Sequence, residues 1–220
     1  MVTHQSKILP LENGDRLSRP EFERRYRAMS NVKKAELIEG RVYMASPVRI
    51  IHGQPHAYIM TWLGVYCAAT PGTQFADNTT VRLDLDNEPQ PDALLRIEGG
   101  QSQIDADEYV RGAPELIVEI AASTASYDLQ EKLQVYRRNG VQEYLVWQVS
   151  DRIFDWFCLR DGEYIKLQLD EDSIIKSEAF PGLWLAVDAL LNNNLAEVIK
   201  TVQSGLKIKE HQEFIQQITN

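Results

Sequence analysis

Along the chain the spacing of apolar residues changes period several times, and each change marks an element. Residues 115–121 are aliphatic and β-branched on both faces, the pattern of a strand in the middle of a sheet. Residues 128–139 place Leu129, Leu133, Val135 and Tyr136 at helical spacing and stop at Gly140, a natural C′ residue. Residues 143–149 return to a buried strand. Ahead of this block, Ser18, Pro20 and Glu21 predict a capped short helix reaching about Met29. Two short strands follow over 35–39 and 41–45, turning at Gly40 and ending at Pro47. Ile59, Leu63 and Tyr66 predict a helix over 54–69 that places His56 in its first turn and is ended by Pro71-Gly72. Strands are predicted over 74–77, 81–85 and 91–97, then a mobile polar loop over 98–112. Downstream come strands at 152–159, 164–169 and 183–187, and a helical segment from about 195 that continues brokenly to Ile218.

The sum is an α/β chain: a mixed central β-sheet flanked by α-helices. It reads as one domain over 1–220, with residues 1–17 an extended arm and 195–220 a C-terminal helical segment. The length and the ordinary balance of 44% hydrophobic and 25% charged residues agree with one sizeable core. A net charge of −9 argues against a generic basic coat for nucleic acid, though not against a local basic path through Arg24, Arg25 and Arg27 or Arg137 and Arg138. No run of 18 apolar residues and no cationic leader is present, so neither a membrane span nor a signal peptide is expected and the location read from the chain is cytoplasmic. Cys67 and Cys158 lack metal-site spacing and are expected to be free thiols.

Chemistry enters through three residues. Strand alternation puts Glu119 with Ile117 on one face and Leu116, Val118 and Ile120 on the other, leaving a carboxylate among apolar neighbours. Such a group must be paired, protonated or metal-bound. On the following helix Lys132 falls about 60° from Leu129, on the inward arc with Tyr136. Asp92 opens an apolar strand directly after Pro91, without a basic neighbour in sequence. Two acids on adjacent strands can share a hard divalent ion, and a lysine beside them can orient a nucleophile or neutralise a transition state, which suits phosphodiester hydrolysis.

The Pro91-Asp92 pair, with Glu119 27 residues later, resembles the PD-(D/E)xK nuclease superfamily. More narrowly, the residues 36–40 (ELIEG), His56, Pro91-Asp92, 114–120 (PELIVEI), Ser123, Asp128, Lys132, Tyr136 and 140–144 (GVQEY) resemble a bacterial family regarded as restriction endonucleases, over roughly residues 18–190. Ala121 stands where the superfamily's short motif has its lysine, and the resemblance implies that Lys132 has taken that place from the helix. It further implies Mg²⁺ or Mn²⁺ as cofactor and DNA as substrate, with Asp92, Glu119 and Lys132 catalytic. The metal ligands would be Asp92, Glu119, the Ile120 carbonyl and an additional Glu36, with His56, Tyr136 and Asp128 in support.

Bland readings stand beside these. Glu119 and Lys132 suit a structural ion pair, Pro91-Asp92 a turn, and Asp128 a helix-start residue drawn by the dipole. Two functional rivals also stand: a catalytically inactive nuclease-fold module binding nucleic acid or a protein, and a carboxylate pair acting without metal in glycoside or acyl chemistry. Edge strands and apolar C-terminal segments invite a homodimer.

Overall fold

The structure is a computed structural model that describes residues 8–44, 49–121 and 127–219. Helix α1 (Arg19–Arg27) carries Pro20 in its first turn, but the expected capping box does not form: Ser18 makes no side-chain cap and Glu21 is held by Arg24 and Arg25. Strands β1 (Ala35–Ile38) and β2 (Arg41–Met44) form the predicted hairpin through Glu39 and Gly40, both at positive φ. The N-terminal arm runs against this hairpin through an Arg16–Arg41 bridge, and Leu11, Phe22, Leu37 and Val42 make a small core there.

Helix α2 (Ile50–Ala68) starts a turn earlier than the sequence suggests. Pro55 is not near its first position but at its sixth, where its missing N–H leaves the Ile51 carbonyl without a helical partner. His56 therefore lies in the second turn and His52 in the first. Strand β3 (Thr73–Asp77) follows, then β4 (Val81–Arg82), cut to two residues because Leu83 closes a turn onto the Asn87 carbonyl and Asn87 grips Asp84. After β5 (Ala93–Ile97) the expected mobile loop is instead ordered by a hairpin, β6 (Gln103–Ile104) and β7 (Val110–Arg111). Asp105 makes it, accepting from the Asp107 and Tyr109 amides while its own amide donates to the Tyr109 carbonyl.

Strand β8 (Leu116–Ala121) leads to a wide π-type turn, Asp128–Lys132, and then to α3 (Leu133–Asn139), closed by Gly140 at φ 82° as expected of a C′ glycine. Strands β9 (Glu143–Gln148), β10 (Ile153–Arg160) and β11 (Glu163–Lys166) follow the prediction closely. Beyond them the chain forms an unexpected strand β12 (Ile174–Lys176) paired with β13 (Trp184–Ala186), a short helix α4 (Val187–Leu191), and the broken C-terminal segment as α5 (Leu195–Gly205) and α6 (Lys209–Thr219).

The main sheet has the order β11-β10-β9-β8-β5-β3, with β8 and β9 parallel and every other pair antiparallel. The helical crossover between β8 and β9 is what a parallel pair requires. One face buries Leu116, Val118 and Ile120 against Ile59, Trp62, Leu63 and Tyr66 of α2. The other buries Ile117, Ala121, Tyr144 and Val146 with Tyr136 of α3, Val81 of β4 and Val110 of β7. This is the alternation read from the sequence, and it sets Glu119 on the α3 face. No helix among the described residues is long and apolar enough to cross a membrane.

Candidate active site

The central strand delivers Glu119 to the middle of a charged cluster. Lys132 donates to Glu119 Oε1 at 2.8 Å and to Glu36 Oε1 at 3.0 Å, with only 3% of its side chain exposed. Tyr136, one turn further along the same face, donates to Glu119 Oε1 at 2.8 Å. The helical spacing of Lys132 and Tyr136 thus brings an ammonium and a phenol onto one carboxylate oxygen. Burial beside Glu119 pushes the Tyr136 hydroxyl well above its usual range, so it remains a neutral donor. Glu36, from β1, also accepts from the Gln90 amide at 2.8 Å, which fixes its carboxylate toward the sheet.

Asp92 sits where β5 begins, and continuing the β5–β8 register by one residue sets it across from Glu119. Its Oδ2 accepts from the Ile120 amide at 2.8 Å and lies 3.3 Å from His52 Nε2, while its Oδ1 lies 3.3 Å from Lys34 Nζ. Burial opposes its ionisation, but the His52 hydrogen bond, the Lys34 and His52 charges and the Ile120 amide outweigh that. The carboxyl is held well below the usual carboxylate range. His56 Nε2 lies 2.8 Å from the Asp92 backbone carbonyl oxygen and so fixes the chain rather than the carboxylate.

The start of β5 and the middle of β8 thus bring Asp92 and Glu119 to neighbouring positions, with Lys132 and Glu36 beside Glu119 and Lys34 and His52 beside Asp92, and comparison with known proteins decides the family. The model of the Uma2 family, described as "Putative restriction endonuclease", matches residues 19–188. The chain belongs to this family. Among solved structures it is similar to "a putative nuclease belonging to DUF820" from Anabaena variabilis ATCC 29413. That match has 13% identity and a TM-score of 0.55, and covers 78% of this chain and 90% of that one. At that identity the likeness speaks for the fold alone. No curated protein matches the sequence.

In this Uma2 family member the structure gathers Asp92, Glu119, Ile120, Glu36, Lys132, His56 and Tyr136. Asp128 opens the π-type turn, but its side chain lies outside the described residues, as does Ser123 altogether. Sequence reasoning missed Lys34, Asn78 and His52. Starting α2 at residue 54 hid the His52–His56 pair, whose i,i+4 spacing was the available signal; their rings stack 6.3 Å apart. Lys34 could not be seen because its contact with Asp92 spans 58 residues. Tyr127 was also missed: Lys132 Nζ lies 5.5 Å from its ring centre, and its buried hydroxyl has no hydrogen-bond partner among the described residues.

The donor chemistry fits a hard divalent ion. Asp92, Glu119 and Glu36 offer carboxylate oxygens. The Ile120 amide points toward Asp92, and in an extended strand a residue's carbonyl leaves on the same side as its amide. Among the described residues no three His, Cys, Asp or Glu side chains surround one point. An ion held here would therefore rest on a carboxylate pair, a carbonyl and waters, an ordinary ligand set for Mg²⁺.

Proposed function

We propose that the chain is a Mg²⁺- or Mn²⁺-dependent endonuclease that hydrolyses DNA phosphodiester bonds. The observation that supports it most is the placement of Asp92 opposite Glu119 on paired strands, with the Lys132 ammonium buried between Glu119 and Glu36. In this reading Asp92, Glu119 and the Ile120 carbonyl would hold the ion, and Glu36, whose Oε1 takes Lys132 and the Gln90 amide, stands behind them as a further acid. When bound, the ion supplies Lewis-acid stabilisation of charge on the phosphate and a water of lowered pKa.

The chain's own groups do the rest. Lys132 orients the attacking water and offers positive charge to the phosphate; its 3% exposure keeps that charge away from bulk solvent, where it would be screened. Glu36 keeps the ammonium in place, and Tyr136 fixes the Glu119 carboxylate so that its remaining oxygen has a defined direction. His56 locks the Asp92 backbone. The test is cleavage of supercoiled plasmid: nicks or cuts with Mg²⁺ or Mn²⁺, none in EDTA, and loss of at least about 100-fold in Glu119→Gln and Lys132→Ala. Metal affinity should vanish in Glu119→Gln and survive in Lys132→Ala. No cleavage with any divalent ion on single- or double-stranded DNA would sink the reading.

The rival of a silent nuclease-fold module draws on one feature, the saturation of Lys132 by two carboxylates, which is how a purely structural ion triad also looks. Titration with Mn²⁺ separates the two, since a structural triad takes up no ion.

A further inference from the structure

The two oxygens of Asp92 are used differently. Oδ2 is committed to the backbone, taking the Ile120 amide at 2.8 Å, and also faces His52. Among the described residues Oδ1 faces one cation, Lys34, whose ammonium is steadied by Asn78 Oδ1 at 3.1 Å. Asn78 itself is wrapped on Asp92, its amide donating to the Asp92 carbonyl, and holds φ at 45°, a left-handed conformation that asparagine tolerates. Lys34 also differs from the other lysine of the site: 26% of its side chain is exposed, against 3% for Lys132. It stands at the solvent side of a carboxylate that is itself only 6% exposed.

An ion arriving at Asp92 has to take Oδ1, because Oδ2 cannot leave the Ile120 amide without opening the strand end. It therefore meets Lys34 first. Two cations cannot share that oxygen at contact distance, so the ammonium must move. Once displaced it keeps a flexible four-carbon stem, partial solvent access and a new cationic neighbour, and the partner that relieves this is an anionic oxygen of the substrate backbone.

We infer that Lys34 is a removable counter-ion: it occupies the Asp92 metal position in the ion-free protein and passes to a phosphate of the DNA when the ion binds. Lys34 is then a positioning residue that couples metal and substrate binding. The inference rests on the nuclease reading and adds to it the expectation that the ion binds more weakly without DNA than with it.

The test uses two readouts that move in opposite directions. Lys34→Met keeps the stem and removes the charge. Mn²⁺ alone, titrated calorimetrically without DNA, should bind about three- to tenfold more tightly than to the wild type, the scale set by breaking one half-exposed ion pair. A fluorescent 20-nucleotide duplex, titrated in Ca²⁺, should bind about three- to tenfold more weakly. Lys33→Ala removes the same charge one residue away, at an exposed position, and should alter neither value by more than about twofold. Unchanged or weaker Mn²⁺ binding by Lys34→Met, or an equal effect in Lys33→Ala, overturns the counter-ion role. Duplex affinity that stays the same overturns the transfer to phosphate. If neither wild type nor Lys34→Met takes up Mn²⁺ and neither cuts DNA, the metal-dependent reading fails and this inference falls with it. A wild type that binds Mn²⁺ and cuts normally beside an indifferent Lys34→Met sinks this inference alone.

Discussion

Lys132 carries the tightest coupling between stability and site. Its ammonium is the common partner of Glu36 and Glu119, two acids that come from strands 83 positions apart in sequence and would otherwise face each other. Removing one member of a buried ionic group leaves the rest uncompensated, at a cost of about 3–5 kcal/mol. Lys132→Met is therefore expected to lower unfolding free energy by about 3 kcal/mol in urea melts, and Glu36→Gln in the same background to recover part of it. A loss below about 1 kcal/mol would mean that the acids do not depend on the lysine. Much of this was legible beforehand, because Glu119 interrupts an apolar strand and Lys132 interrupts an apolar helix arc. The partners Lys34 and His52 were not, since neither interrupts any periodic pattern and both owe their roles to contacts distant in sequence.

At the scale of elements, the strands of the main sheet and α3 were readable from period alone, since burial on one or both faces leaves a regular trace. The errors came where polar side chains organise the backbone. Asp105 makes a hairpin of a stretch whose composition suggests a loop, and Asn87 with Asp84 ends β4 early. The start of α2 was placed late because the apolar spacing that marks the helix begins only at Ile59, yet the helix opens at Ile50 and runs through Pro55. The end of α5 packs closely on the chain between β12 and β13. A methyl at Gly205 would run into the Gly182 carbonyl and the Trp184 ring, so α5 can pack on the β12–β13 turn only because residue 205 has no side chain. Gly205→Ala is expected to destabilise by about 2–3 kcal/mol through this overpacking. Gly53→Ala, in α2 with open space around it, should be neutral or gain up to about 1 kcal/mol from helix propensity. Paired chemical denaturation curves check both, and an innocuous Gly205→Ala would show that the two backbones separate easily.

Taken whole, the molecule depends on how its N-terminal layer is held, because α1 and the β1–β2 hairpin supply Glu36 and, just ahead of β1, Lys34. That layer is fastened by its small apolar core, by backbone bonds between Leu37 and Glu88, and by an ionic network in which Arg82 meets Glu23, Glu88, Asp105 and Asp107 while Arg19 meets Glu23 and Glu88. Glu88 is the weak point of the network. Its Oε2 is buried without a hydrogen bond among the described residues, the guanidinium nitrogens of Arg19 and Arg82 stand 4.0 and 3.9 Å away, and burial with the Glu23 carboxylate nearby pushes its pKa up to about 8. A carboxyl whose folded value lies above its unfolded one binds a proton more tightly when folded. Its contribution is complete below about pH 4.3, the ordinary glutamate value, and is lost as pH rises through about 8. Wild type should then lose stability relative to Glu88→Gln between pH 5 and pH 9, since glutamine cannot ionise in that position. Thermal melts of the two proteins across this range read the difference, and a gap that stays constant with pH would show Glu88 already ionised and compensated by its two arginines. Because the same layer presents Glu36 to Lys132, the loosening should reach the site, and Mn²⁺ affinity of the wild type should fall relative to Glu88→Gln at the alkaline end of the series.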